Sequence, residues 1–507
     1  MISIIRHFTR HKLFYGILSL SLLLRLPLIF TSQSHVDADA AEVGLMAKHI
    51  LDRGEHTVFQ WKLPYTGGYA IEAHLAAVVF SVFGMSSQAL KGVGLLLSLA
   101  VLAVSYFFTY EWFGKRLAIV STLLLSLATP LLQWNLQMRG GYLEAVIFTL
   151  LIFSTMFKIF WRGKNTLRYY ALWGILSGLA WWNMELILPF LVTSIILWYA
   201  YDKRFFLKVS FLVFVLFFLL GNGLTIYFNL THDFQNLKYV LGFLLMRSET
   251  PVDFTIVSWA NEKLYFIFEL FTATLPRFFE PDNEWSYFRN ISPSSWIQYL
   301  ILLWALGLSF WSLRRSSFAL DKKSSMLIYI IVHLAAYVFM NPYGPQVQRF
   351  LILLYPYISI FTADLILALY NRNTFMRAFG VIMMVFIVSV GECAYVDSLG
   401  KRSEWTDPDF FYDKGKPQLQ VLHTEGETIS KIISFLDSQG IMYVHTTPYI
   451  KYRLIFESQE RIIASSEYFP LQTDYNLMYE NMVKRGGSQP MAVILYERSG
   501  FRFPFQR

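Results

Sequence analysis

The amino-acid sequence predicts an all-α polytopic membrane bundle followed by a small α/β domain. Residues are 55% hydrophobic and 18% aromatic but only 15% charged, more apolar surface than a soluble core built from 507 residues would bury. Apolar runs long enough to cross a bilayer recur from residue 13 to residue 394. Beyond them the composition turns polar, with helical and strand-like patterns in alternation. The chain therefore divides into a membrane domain, 1–394, containing a first outer loop at 32–67, and a second domain, 395–507.

The first apolar run, Leu13 to Phe30, follows Arg6, Arg10 and Lys12. A cleaved secretory signal begins in the same way, but Arg25 interrupts this run and no small-x-small cleavage site follows, so a retained helix is expected. Basic connectors then recur at Gly114-Lys115-Arg116, Arg162 to Arg168, Lys203 to Lys208, Arg314 to Lys323 and Arg372 to Arg377. Short loops rich in Lys and Arg stay in the cytoplasm. With the N-terminus on the same side, residues 35–51, Gln133–Tyr142, Trp181–Glu185, Asn229–Trp296, Asn341–Arg349 and everything past Cys393 face outward.

Two apolar runs, Tyr69–Phe83 and Ala89–Tyr110, separate the outer acidic loop from the next cytoplasmic connector, where only an odd number of crossings fits. The shorter falls below the roughly 20 residues that span a bilayer, so it is expected to be tilted or partly inserted. Leu264–Leu275, flanked by charges, is expected at the interface. The tally is about 11 to 13 crossings.

In the C-terminal region, Thr428–Leu436 has helical spacing and is followed by Gly440 and the strand-like Ile441–His445. A helix around Tyr449–Phe456 leads to Arg461–Ala464, and Met491–Tyr496 reads as a further strand. The alternation points to a small α/β domain outside the membrane.

The net charge of +8 is loop charge that orients helices, not a nucleic-acid footprint, because Lys and Arg cluster between apolar runs. The lone Cys393 excludes an intrachain disulfide and a Cys-based metal cage. Asn229-Leu230-Thr231 and Asn290-Ile291-Ser292 match the glycosylation tripeptide, a pattern that also arises by chance. No Gly-rich phosphate loop is present.

The chemistry-bearing residues gather at the outer helix ends. Asp37, Asp39 and Glu42 open a helical pattern, Asp39 to Leu51, that reads as amphipathic and parallel to the membrane surface. Asp37 and Asp39 suit a helix N-terminus, so capping competes with catalysis as their role. Glu72 and His74 lie in "YTGGYAIEAHLAAVVF", Arg139 and Glu144 in "QMRGGYLEAV", and Arg349 in "NPYGPQVQRFLILLYP". An acid beside lipid is costly unless it lines a cavity or has a partner. Together these groups outline a polar pocket in which one carboxylate deprotonates an acceptor and an arginine holds a phosphate. Plainer readings stand beside this one: Arg139 snorkels, Arg349 pairs with Glu144 or a lipid headgroup, and His74 is an ordinary helix histidine. A carboxylate and imidazole set around Glu72, His74 and the aspartates is chemically able to bind a divalent ion, though no ligand spacing demands one.

The pattern Asp37-x-Asp39-x-Ala41-x-x-Gly44-Leu45-Met46-Ala47, with Gly67-Gly68 leading to Glu72-Ala73-x-Leu75-Ala76-Ala77, resembles the GT-C glycosyltransferases. Within them it is similar to the dolichyl-phosphate-mannose protein mannosyltransferase group, which includes the bacterial aminoarabinose transferase of lipid A. "ILSGLAWWNMELILPFL", "QRFLILLYP" and the tail "PYIKYRLIFESQERIIAS" resemble later segments of the same group. The resemblance implies a GT-C bundle and inverting transfer of a sugar from a polyprenyl-phosphate donor to a lipid, glycan or protein acceptor outside the cytoplasm. It implies no required cofactor, and residence in a bacterial inner membrane. Asp39 matches the base of the family's Asp-Glu pair, while Ala40 stands where the glutamate would be, leaving Asp37 or Glu42 for the supporting role. Arg349 matches the helix-end arginine that contacts donor phosphate, and Arg139 is assigned there by its outer-loop position. Glu72 falls near a family acid or metal region. The alternative is a transporter or flippase of a lipid-linked glycan, but transporters place functional charges near the bilayer midplane rather than at helix ends.

Overall fold

The computed structural model describes residues 9, 11–30, 36–61, 64–127, 138–245, 256–277, 279, 291–315, 320–340, 348–400, 428–446, 448–466, 478–486 and 491–493. Asn290 and parts of the outer segments expected at 133–142, 341–349 and 395–507 lie outside these residues.

Among the described residues, seven helices are long and apolar enough to cross a bilayer. A bent pair, Val209–Gly221 and Gly223–Thr231, is set 59° apart, and counting it as one span brings the number to eight. Shorter helices such as Lys115–Ser126, Leu167–Asn183 and Leu188–Tyr201 pack beside them, so the sequence count includes segments too short to span alone. Gly68–Phe83 has 16 residues, about 24 Å of helix against a hydrocarbon core of about 30 Å. Leu264–Leu275 belongs to a helix, Ile256–Glu269, that runs into a π-helical turn at Leu270–Thr274.

Tyr142–Arg162 and Arg349–Tyr370 are the most deeply buried spans and form the centre of the bundle. There Phe153 meets Phe190, Tyr329 and Tyr357 edge-on, with ring centroids 4.7, 6.0 and 5.6 Å away. Such aromatic contacts add specificity of fit to the apolar burial. Arg25, fully buried in the helix Lys12–Phe30, bonds the Ser21 side chain and the Ser126 carbonyl, 3.1 Å away at the end of Lys115–Ser126. An arginine within an apolar helix thus donates to the C-terminal end of a neighbouring helix.

The helix in the segment expected as the first outer loop, termed the first outer helix, is Ala38–Arg53. Asp37 caps its start, Oδ1 accepting the Ala40 N–H at 2.8 Å, and Gly54 closes it in the left-handed conformation, φ +65°. Its apolar residues pack against Gly68–Phe83 on one side and against Pro448–Glu457, a C-terminal helix, on another. Gly44 makes the second contact close, because a Cβ there would strike the Phe456 ring.

The C-terminal region forms a three-stranded parallel sheet of β1 (Tyr443–His445), β2 (Ile463–Ser465) and β3 (Met491–Val493), ordered β2-β1-β3. Helices Pro448–Glu457 and Met478–Arg485 connect the strands, as parallel pairing requires. The expected alternation is present, with the strand beginning at Met491 described as far as Val493.

Charge fastens this region to the first outer helix. Buried His49 lies between Glu55, 2.7 Å, and Glu460, 2.8 Å, while Lys48 and the Tyr479 hydroxyl reach Glu460 at 2.8 and 2.9 Å. Burial pushes the Glu460 carboxyl up, but hydrogen bonds from His49 and Lys48 outweigh it and bring the group down to about 2. A carboxylate with a depressed folded pKa stabilises the structure above its unfolded value of 4.5 and loses that contribution as pH falls toward about 2. Hydrogen exchange in Pro448–Glu457 should accelerate across that acid window. Glu460→Gln should remove the pH dependence, and identical profiles for both proteins would refute the role of this contact.

Candidate active site

One cavity of about 200 Å³ is lined by Asp39, Arg139 and Arg349, three of the charged residues singled out in the sequence. Asp39 enters it from the first outer helix, Arg139 from the turn before Tyr142–Arg162, and Arg349 from the 3-10 turn Gln348–Leu354. Both arginines therefore stand where the two central helices begin. Aromatic side chains, among them Tyr69, Tyr142, Trp181 and Tyr337, supply much of the wall.

The two aspartates have different surroundings. Asp37 uses one carboxylate oxygen to cap the helix and the other to pair with Arg139 Nε at 2.7 Å. Asp39, in the first turn of the helix, lines the cavity itself.

Glu42 and Glu72 lie outside the cavity lining and bind backbone. Glu42 is completely buried and accepts the Trp61 N–H at 2.6 Å, tying the following loop to its helix. Glu72 accepts the N–H groups of Gly140 and Gly141 at 2.9 and 3.0 Å. Successive N–H groups aimed at one carboxylate form an anion-binding nest, here filled from within the protein. Gly141 has φ +94°, sits against Gly68, and receives an Asn183 hydrogen bond on its carbonyl at 2.8 Å. Residue 139 is the last before this turn, so Glu72 anchors the backbone that follows Arg139.

Glu144 is buried in the first turn of Tyr142–Arg162, close enough to Glu72 for their charges to interact, and does not line the cavity. His74 is exposed, bonded to the Ala70 carbonyl at 2.7 Å and stacked on His56, with nitrogens 2.9 Å apart. Among the described residues no three His, Cys, Asp or Glu side chains converge as a metal site. Glu72 and His74 have separate partners and do not form one.

Sequence reasoning did not single out Glu185 or His333. His333 bonds the Phe350 carbonyl at 2.8 Å and thereby holds the turn carrying Arg349. Glu185 lies on a 3-10 turn, Glu185–Ile187, where the helix ending at Asn183 breaks, and it faces the same cavity. A carboxylate at a break between two apolar helices was the available signal.

The architecture matches solved structures. ArnT from Cupriavidus metallidurans bound to undecaprenyl phosphate superposes with a TM-score of 0.60 at 10% identity, over 94% of this chain and 89% of that one. Its apo state gives 0.56 at 11% identity. The archaeal oligosaccharyltransferase AglB from Archaeoglobus fulgidus, in complex with an inhibitory peptide and a dolichol-phosphate, gives 0.51 at 13% identity, over 91% of this chain and 65% of AglB. The chain has the GT-C fold. No protein-family model and no curated protein matches it in sequence. In this GT-C bundle the cavity opens beside the first outer helix, and the C-terminal sheet region packs on that same helix.

Proposed function

We propose that the protein is a membrane glycosyltransferase that moves a sugar from a polyprenyl-phosphate-linked donor to a lipid, glycan or protein acceptor on the extracytoplasmic face. The observation that carries this reading is the convergence of Asp39, Arg139 and Arg349, from three separate segments, on one cavity. A carboxylate and two guanidinium groups in one cavity suit a reaction that removes a proton from one reactant and releases a phosphate from the other. The GT-C fold supports the donor class, since the ArnT and AglB structures hold undecaprenyl phosphate and dolichol-phosphate.

In this mechanism Asp39 accepts the proton of the acceptor hydroxyl or amine as that atom attacks the anomeric carbon. The bond from that carbon to the phosphate oxygen breaks on the opposite face, so configuration inverts. The departing polyprenyl phosphate keeps the bonding electrons, and Arg139 and Arg349 stabilise its charge in a site walled by aromatic rings. Asp37 keeps the Arg139 guanidinium oriented through their ion pair.

Mass spectrometry of lipids and glycoconjugates from cells with and without the protein tests the reading by identifying donor and acceptor together. No change in any glycosylated species would remove it. Arg349→Ala should weaken donor binding about 10- to 100-fold, the scale of a lost hydrogen bond to a charged group. Unchanged donor affinity would reduce Arg349 to an interfacial side chain. The proposed location is a bacterial inner membrane, with the N-terminus cytoplasmic and residues 395–507 outside. A reporter fused after residue 400 should be active only outside the cytoplasm, and cytoplasmic activity would invert the topology.

A further inference from the structure

The cavity lined by Asp39 and the two arginines is also lined by an imidazole, His333, 2% exposed on the helix Lys322–Met340. Its Nε2 lies 2.8 Å from the Phe350 carbonyl oxygen. A carbonyl only accepts, so Nε2 carries the hydrogen and, in the neutral ring, Nδ1 is a bare acceptor. Among the described residues Nδ1 has no hydrogen-bond partner. A buried acceptor without a partner is costly, and one on a cavity wall is satisfied when a ligand brings the donor. Tyr329, one turn earlier, meets the ring edge-on with centroids 5.5 Å apart, so the imidazole is fixed by two contacts of the protein itself.

Position in the chain says which ligand group meets this ring. Phe350 follows Arg349 in the turn Gln348–Leu354, so the bond from His333 sets the imidazole beside the backbone that carries the phosphate-holding arginine. In a polyprenyl-phosphate donor the sugar is joined to that phosphate through a single oxygen, and its hydroxyls are the nearest hydrogen-bond donors. The Glu185 carboxylate, on the same cavity, is already engaged by the Thr66 N–H and the Asn236 amide. Resting on the donor reading above, we propose that His333 is a specificity-determining residue whose Nδ1 accepts a hydrogen bond from an O–H or N–H of the donor's sugar, so that the site distinguishes the sugar-bearing carrier from the bare polyprenyl phosphate left after transfer.

The test measures binding of the full-length protein to undecaprenyl phosphate and to the same carrier bearing glucose, galactose, mannose, arabinose or an amino sugar. His333→Gln puts an amide N–H where Nε2 stands, keeping the bond to Phe350, and offers no acceptor in place of Nδ1. It should weaken binding of the tightest sugar-bearing carrier about 3- to 10-fold, the scale of one neutral hydrogen bond, and leave affinity for the bare carrier within about twofold. His333→Asn reverses the roles, with its carbonyl oxygen near the place of Nδ1 and nothing reaching Phe350. Both affinities should then fall together as the Arg349 turn loses an anchor, with their ratio that of the unmodified protein. Equal losses for bare and sugar-bearing carrier in His333→Gln, or no loss in either, overturn the inference and leave the proposed function standing. Unchanged carrier affinities with a raised acceptor KM would give the bond to the acceptor and overturn it too. Failure of the unmodified protein to bind any of these carriers overturns the proposed function, and this inference with it.

Discussion

Asp39→Asn is expected to lower sugar transfer by about 10²–10⁴-fold, the usual worth of a positioned proton acceptor, with the protein still inserted and folded. The division of labour between the two aspartates makes this a clean experiment. Asp37 caps the first outer helix and pairs with Arg139, and carries those two structural contacts. Replacing Asp39 removes a favourable first-turn charge, worth about 0.3–1 kcal/mol. The amide keeps the size of the carboxylate but takes up no proton at working pH. Asp37→Asn should behave differently, weakening donor affinity through Arg139 more than it slows the chemical step. The measurement is transfer from a polyprenyl-phosphate sugar, alongside thermal unfolding of each variant. A fully active Asp39→Asn protein would end its assignment as the base.

How far the sequence alone reached depends on the kind of information required. Helix positions and the C-terminal alternation follow from periodicity and length, which are local, and the strands start at 443, 463 and 491, against patterns that start at 441, 461 and 491. Asp39, Arg139 and Arg349 were legible because each is a charge at the end of an apolar helix, where polar groups of a membrane bundle meet. Partners distant in the chain were not legible. Glu72 reads as a costly intramembrane acid, but its targets are two N–H groups nearly 70 positions later, visible only once Gly68 and Gly141 are pressed together. His74 reads as a neighbour of Glu72, yet residues two apart on a helix diverge, and its ring turns to His56. Asn229, whose tripeptide match also arises by chance, spends its amide on the Thr225 carbonyl and on Asn236.

Glu72→Ala is expected to cost nearly as much activity as loss of Arg139, without Glu72 touching substrate. Its carboxylate is the acceptor for both Gly140 and Gly141, and removing it strands two buried N–H groups at about 1–3 kcal/mol each. The turn has another anchor in the Asn183 bond to the Gly141 carbonyl, so the outcome is displacement rather than collapse. Displacing a positioning group by about 1 Å can lower a rate about 10²-fold, and Arg139 begins next to the released turn. Glu72→Gln separates this from a role in proton transfer. A glutamine carbonyl still accepts one of the two N–H groups, so a positional role predicts intermediate stability and activity, whereas a proton-transfer role predicts that Gln and Ala are equally inactive. Donor affinity and unfolding temperature should fall together, in the order wild type, Gln, Ala. Two variants with normal stability and no activity would assign Glu72 to the chemistry instead.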